Sequence, residues 1–303
     1  MRKFSNRNRI SRRNLIASGI CVAASPWVAS EAKSLPLASE KAKNIHLSLA
    51  AYSVRQALTS GKMDLFDFID WCAELGLPGT ELTSYYFEKD FNSAYLRKLR
   101  NHAFRQGVTV SGTAIRNNFC LPPGPEKDKQ VEDVKKWIDY ASDLFAPHVR
   151  IFAGDVPKDA TNDEGIRWVA EGVRSILDHA ERRGVIIGLE NHGGITAKAV
   201  DLKEICRQVG KHPWFGVNLD TGNFRDDPYE ELKVVADWAV NVQVKVEVWS
   251  PDGEKVPADL ARFRDIIIDS GYKGWVALEY EAPNDPFQEI PSYIDELRRL
   301  FYG

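Results

Sequence analysis

The chain has 303 residues, 44% hydrophobic and 11% aromatic, enough to bury the core of one large or two small globular domains. Its 40 basic and 43 acidic residues leave a formal charge of -3, which gives no electrostatic reason to bind a polyanion, so no nucleic-acid partner is expected. Four cysteines without CxxC spacing exclude a small disulfide-stapled scaffold.

The N-terminus reads as a targeting segment. Arg2, Lys3, Arg7 and Arg9 precede Ser11-Arg12-Arg13-Asn14-Leu15-Ile16 and a weakly apolar run from Ala17 to Ala29 that is broken by Pro26. That run is too short to span a membrane stably and has the layout of an export signal. Small residues at Ser30 and Ala32 predict cleavage after Ala32, leaving no membrane anchor. The paired arginines resemble the twin-arginine signal, which implies export of a folded protein to the periplasm. Residues 33–44 then form a polar linker. A chain that folds before export needs no periplasmic disulfide, and Cys72 and Cys206 lie in apolar helical patterns that read as core.

From residue 45 the pattern alternates between short apolar runs and longer helical ones. His46–Ala50 is a strand, and Asp64–Leu75 carries apolar residues at 65, 66, 68, 69, 72 and 75, a 3.6-residue period. Gly79–Leu82 is the second strand, Ser93–Gln106 the second helix, and Val108–Gly112 the third strand. A long loop through Pro122-Pro123-Gly124-Pro125 leads to a helix over Lys129–Phe145, the strand His148–Phe152 and a helix over Asn162–Arg183. The strand Val185–Glu190 opens into Asn191-His192-Gly193-Gly194 and is followed by a helix near Ala199–Val209. Three more strand-helix pairs complete the chain: Phe215–Asp220 with Pro228–Ala239, Val240–Lys245 with Pro257–Ser270, and Val276–Glu279 with Phe287–Phe301. Pro228 suits a first helical turn, where its missing N–H is not needed.

Eight strand-helix units in about 270 mature residues match a single-domain (β/α)8 TIM barrel over residues 45–303. Mostly apolar strands favour a parallel sheet covered by helices. Catalytic groups in such barrels sit at the C-terminal ends of the strands.

Those ends carry the chemistry here. Glu190, Asp220, Gln243 and Glu279 close four successive strands, and an unpaired buried carboxylate costs several kcal/mol or more, so each needs a partner. One divalent cation shared by all four explains the pattern better than packing does. His192 lies two residues beyond Glu190 and faces the same side if the strand geometry persists. Lys245 and Glu247 share the parity of Gln243 and extend a polar line toward the barrel axis. Arg150 is a strand arginine that either balances Glu81 or binds a sugar hydroxyl. One of Tyr85, Tyr86 and Phe87 can line the mouth. Neither GxxxxGK[ST] nor GxGxxG occurs, and Gly193-Gly194 alone does not imply phosphate binding.

The runs Leu189-Glu190-Asn191-His192-Gly193-Gly194, Val217-Asn218-Leu219-Asp220-Thr221-Gly222-Asn223 and Leu278-Glu279-Tyr280-Glu281 make residues 45–302 resemble the xylose-isomerase-like TIM barrel superfamily of sugar isomerases, epimerases, dehydratases and endonuclease relatives. The resemblance implies one Mn, Mg, Co or Zn ion on Glu190, Asp220, Gln243 and Glu279. Two positions depart from the pattern: Asn241 and Gln243 replace a His-x-His pair before the retained Lys245, and Asn223 stands where many members carry His. Hydroxypyruvate isomerases are similar in using Gln at the Gln243 position.

The resemblance therefore implies a sugar isomerase or epimerase. One of Glu190 and Glu279 removes a proton beside a carbonyl, the other returns one, and the metal stabilises the enediolate between the two steps. Lys245 or His192 neutralises oxyanion charge. Glu81, Arg150 and Asn223 are expected substrate contacts. The alternatives are a lyase or hydratase acting on 3-keto-glycosides and a sugar-binding barrel without turnover. An endonuclease is disfavoured by the acidic chain and its six histidines. Export and the lack of a phosphate motif favour a free sugar or keto sugar, with homo-oligomerisation open.

Overall fold

A computed structural model describes Ala42 and residues 44–303. The export signal expected over residues 1–32 and nearly all of the expected linker lie outside the described residues.

The first half of the fold runs β1 (Ile45–Ala50), α1 (Arg55–Thr59), α2 (Leu65–Glu74), β2 (Gly79–Thr83), α3 (Ser93–Arg105), β3 (Thr109–Ala114), α4 (Pro125–Leu144), β4 (His148–Ile151) and α5 (Asn162–Arg183). It continues with β5 (Ile186–Glu190), α6 (Ala199–Val209), β6 (Phe215–Asp220), α7 (Pro228–Val235), β7 (Ala239–Val244), β8 (Glu247–Trp249), β9 (Lys255–Pro257), α8 (Leu260–Asp269), β10 (Gly274–Leu278) and α9 (Pro286–Tyr302). The order β1-β10-β7-β6-β5-β4-β3-β2 closes a barrel of eight strands, parallel throughout. The expected (β/α)8 barrel is the fold.

Local chemistry sets the element ends. Asp64 caps α2 and Thr161 caps α5, each in a reciprocal box with an acid three residues on. Pro125 and Pro228 occupy the first turns of α4 and α7. The helix expected over Lys129–Phe145 therefore begins four residues earlier, because the proline at the loop's end is also the helix start. Gly184 ends α5 in the left-handed conformation at φ 67°.

A further difference concerns Glu247. The expected polar line along the axis stops at Lys245, because β8 leaves the barrel and pairs antiparallel with β9, placing Glu247 opposite Pro257. The helix expected from Pro257 starts at Leu260, since Pro257 belongs to that hairpin.

The two faces of the barrel strands differ in character. Leu47, Leu49, Leu82, Val149, Ile151, Ile187, Leu189, Val217, Leu219, Val242, Val244, Val276 and Leu278 are buried and pack in one apolar cluster with the helices. Each fully buried aliphatic side chain of this size contributes about 1.5–3 kcal/mol. The alternate positions include Ser48, Glu81, His148, Arg150, Glu190, Asn218, Asp220, Asn241, Gln243, Lys245 and Glu279, all buried as well. A TIM barrel ordinarily fills this space with branched aliphatics. The polar filling demands partners, and it leads upward into the site.

Candidate active site

Six of the expected site residues, Arg150, Glu190, His192, Asn223, Lys245 and Glu279, line one cavity of about 440 Å3 at the C-terminal ends of the strands. Tyr52, Tyr85, Arg116, Asn117, Asp155 and Glu281 line it as well.

Backbone clamps fix the carboxylates. Asn191 donates from Nδ2 to the carbonyl of Asp220 at 2.8 Å, and the Asp220 N–H donates back to Asn191 Oδ1 at 2.9 Å, tying the end of β5 to the end of β6. The Thr196 hydroxyl donates to the carbonyl of Glu190 at 3.0 Å and accepts the His192 N–H at 3.1 Å. Thr221 Oγ1 accepts the Lys245 N–H at 2.9 Å. Gly222 lets the lysine stem pass: a Cβ there would stand 2.6 Å from Lys245 Cγ.

Two cations organise the acids. Arg150 Nε lies 2.7 Å from Glu190 Oε2, and its Nη1 donates to the Ile115 carbonyl at 2.7 Å and to the Tyr85 hydroxyl at 3.3 Å. Asn223 Nδ2 donates to the other oxygen of Glu190 at 3.1 Å. Arg150 therefore balances Glu190 rather than Glu81. Lys245 Nζ lies 2.8 Å from Glu281 Oε2, 2.9 Å from Glu279 Oε2 and 3.3 Å from Asp220 Oδ2. Among the described residues, Glu279 Oε1 carries no hydrogen bond. It belongs to a side chain on the cavity wall.

Below the cavity lies a second polar layer. Glu81 is 1% exposed, and its oxygens accept from Gln243 Nε2 at 2.7 Å and Asn241 Nδ2 at 3.2 Å. Gln243 Oε1 in turn accepts from Asn218 Nδ2 at 2.6 Å. Glu81 therefore does not reach the cavity as an expected substrate contact would, because both its oxygens are engaged beneath the floor. Asp220 and Gln243 are also absent from the cavity wall.

Burial dominates the electrostatics. It pushes Asp220 up to about 7 against the pull of Lys245, with Glu279 and Glu281 adding repulsion. Glu81 rises to about 7 from burial and then from the charge of Glu279. Burial also raises Glu190, opposed by Arg150 and reinforced by Asp220 and Glu279. The His192 ring stacks 4.1 Å from Phe152, whose ring lies 4.0 Å from the Arg150 guanidinium. Burial and the charges of Arg150 and Lys245 push its imidazole down to about 4, so it is neutral at pH 7.

The donor set bears on a metal. Among the described residues, no three His, Cys, Asp or Glu side chains converge in a ready-made metal cluster. Lys245 stands among Asp220, Glu279 and Glu281, and the Gln243 oxygen is turned to Asn218. The chemistry nevertheless suits a divalent cation. Glu190 Oε2 and Asp220 Oδ2 are buried oxygens with no hydrogen-bond donor in bonding geometry. The acids Glu81, Glu190, Asp220, Glu279 and Glu281 also outnumber the cations Arg150 and Lys245, which pair with the last four of them and leave Glu81 to neutral amides. Oxygen-rich, cation-poor sites are what hard divalent ions bind.

Of the cavity residues, Glu281 is signalled in the sequence by its spacing two positions after Glu279, which puts both on one side. Tyr52, Arg116, Asn117 and Asp155 carry no such signal beyond their place in loops that follow strands.

A family model described as xylose isomerase-like TIM barrel matches residues 69–300. The chain belongs to the xylose isomerase-like TIM barrel family. Within the reach of this family fold, the L-ribulose-5-phosphate 3-epimerase UlaE of Escherichia coli O8 (strain IAI1) is 24% identical over 254 residues, covering 79% of this chain and 87% of the relative. A D-psicose 3-epimerase crystallised in the presence of D-fructose superposes with a TM-score of 0.68 at 12% identity, covering 85% of this chain and 100% of the other. The IOLI protein with a bound zinc atom superposes at 0.67 and 16% identity, covering 84% and 98%.

Proposed function

We propose that the protein is a sugar isomerase or epimerase that moves a proton at the carbon beside a carbonyl, with Glu279 and Glu190 as the proton-transferring groups. The observation that carries this reading is a pair of buried carboxylates on the wall of one cavity of sugar size. Each is already held by a cation, Glu190 by Arg150 and Glu279 by Lys245. The names of the epimerase relatives support it.

Glu279 removes the proton, because its Oε1 carries no hydrogen bond. The C–H electron pair moves into the carbon–carbon bond and the carbonyl pair moves onto oxygen. Lys245, 2.9 Å from Glu279 Oε2, offsets the charge that develops there. Glu190, fixed by Arg150 and Asn223, returns a proton. Return to the same carbon from the opposite face gives an epimer; return to the former carbonyl carbon, with the neighbouring hydroxyl proton passing to the former carbonyl oxygen, gives an isomer. His192 is neutral and its backbone is tied to Thr196, so it closes the wall rather than carrying charge.

Glu190, Asp220 and Glu279 are the side chains that would hold a divalent ion such as Mn, Mg, Co or Zn, and Gln243 would join them on turning its amide oxygen away from Asn218. When bound, the ion supplies positive charge that draws electrons from the substrate carbonyl. The substrate is a free sugar or keto sugar, met outside the cytoplasm after export through the signal over residues 1–32. Replacing both Arg12 and Arg13 with Lys is expected to keep the protein in the cytoplasmic fraction.

The test is incubation of the purified protein with keto sugars in deuterated water, followed by NMR. Deuterium at the carbon beside the carbonyl supports the reading. An unsaturated product replaces it with a lyase, and saturable binding without exchange replaces it with a binding barrel.

A further inference from the structure

A second groove opens beside the cavity. It encloses about 800 Å3 and shares Tyr52, Tyr85 and Arg116 with the cavity wall, so the two spaces adjoin across these three side chains. Arg55, Gln56, Thr59, Ser60 and Tyr86 line the groove and not the cavity. The rings are held by their neighbours. The Arg55 guanidinium lies 5.1 Å from the centre of the Tyr52 ring and donates to the Tyr280 carbonyl at 3.2 Å. The Tyr85 hydroxyl accepts from Arg150 at 3.3 Å, and Tyr85 meets Tyr86 edge-on with centroids 6.3 Å apart.

We propose that this groove is a second sugar subsite, and that the protein acts on one ring of a disaccharide while Tyr52, Tyr85 and Tyr86 hold the other. The inference deepens the reading above and rests on it. A pyranose ring presents C–H groups on its faces and hydroxyls around its edge. Fixed aromatic rings match the faces, and the exposed polar side chains of Gln56 and Thr59 match the edge. The adjacency of the two spaces matters most, because a glycosidic link places the second ring directly beside the first. Tyr85 lines both spaces, and its hydroxyl is bonded to the arginine that holds Glu190.

The test compares matched pairs: D-fructose with lactulose, and a methyl 3-ketoglucoside with 3-ketosucrose. Binding is measured by calorimetry and proton exchange by NMR, on wild type, Tyr86→Ala and Gln56→Arg. The disaccharide of at least one pair is expected to bind at least ten-fold more tightly than its monosaccharide. Tyr86→Ala removes that advantage while monosaccharide binding stays within two-fold, which also shows that the variant is folded. Gln56→Arg, at an exposed position, crowds the groove and weakens only the disaccharide. Exchange on the monosaccharides with no disaccharide advantage overturns the subsite alone. A preference for fructose 6-phosphate over lactulose also overturns it, assigning Arg55 and Arg116 to an anion instead. No binding by either member of any pair overturns the underlying reading together with the subsite.

Discussion

Lys245 Nζ lies 2.9 Å from Glu279 Oε2, and the same ammonium reaches Glu281 and Asp220. One buried cation thus serves three acids that come from β6 and from the segment after β10. Removing it leaves carboxylates facing one another without a partner, which costs about 3–5 kcal/mol when a buried pair is broken. Lys245→Met is expected to lower the unfolding free energy of metal-free protein by about 3 kcal/mol, read from urea denaturation after dialysis against a chelator. An unchanged midpoint would mean that the acids are protonated and need no cation.

Arg150 forms the corresponding contact on the other side of the cavity. Its Nε pairs with Glu190 while Nη1 holds Ile115 and Tyr85, a planar fork that lysine does not reproduce. Arg150→Lys loses charge-assisted hydrogen bonds worth about 1.5–3 kcal/mol each. The expected result is a fall in kcat/KM on the order of 100-fold with the fold intact by circular dichroism.

His148 gives a pH prediction. Its ring is buried inside the barrel with neither nitrogen bonded, in space left by Gly188, where a Cβ would stand 2.2 Å from Nε2. Burial and then the charge of Arg150 depress its pKa from 6.5 to about 3. The unfolded chain therefore binds the proton first as pH falls, so this contribution to stability is complete above about pH 6.5 and is lost toward pH 3. Glu81 and Asp220, both raised to about 7, act in the opposite sense, gaining stability as pH falls through that value. The difference between wild type and His148→Gln isolates the histidine. Wild type should lose up to about 1.4 kcal/mol more per pH unit than the variant within that window, measured by denaturation at several pH values.

Glu81 separates structure from substrate contact. With both oxygens bonded to Asn241 and Gln243 and 1% exposure, it supports the floor of the site. Glu81→Leu is expected to cost about 1–3 kcal/mol of stability through the unpaired amides it leaves behind. KM for a turned-over keto sugar should stay within about two-fold. A large rise in KM at unchanged stability would return Glu81 to the substrate.

The barrel is legible in the sequence because periodicity and turn residues agree along the whole chain: 3.6-residue runs such as 65–75 alternate with apolar strands that end in glycine-rich turns. Strand-end position also picks out Glu190 and Glu279, since a carboxylate closing an apolar run is expensive unless used. Pairing is less legible. That Arg150 meets Glu190 and not Glu81 depends on the register of β4 against β5, where Arg150 stands opposite Gly188. Sequence spacing does not state that register. The β8–β9 hairpin leaves no trace in the pattern because three-residue strands are too short to show a period, and so parity alone puts Glu247 on the wrong face. Arg116 and Asp155 lie in loops, where no periodicity ties a side chain to a direction.

Metal binding is tested by elemental analysis of protein matured in its native host. About one equivalent of divalent metal is expected in wild type and much less in Glu190→Gln, an isosteric change that removes one of the carboxylates. Equal content in both would place the ion elsewhere.

The central claim is that Glu279 takes the substrate proton. The most direct measurement is the rate of solvent-deuterium incorporation beside the carbonyl of a bound keto sugar, in wild type and in Glu279→Gln. A fall of about 1,000-fold or more is expected in the variant, within the range for loss of a proton-transferring group, with substrate binding retained by calorimetry. Exchange at the wild-type rate in a folded, substrate-binding variant would contradict it.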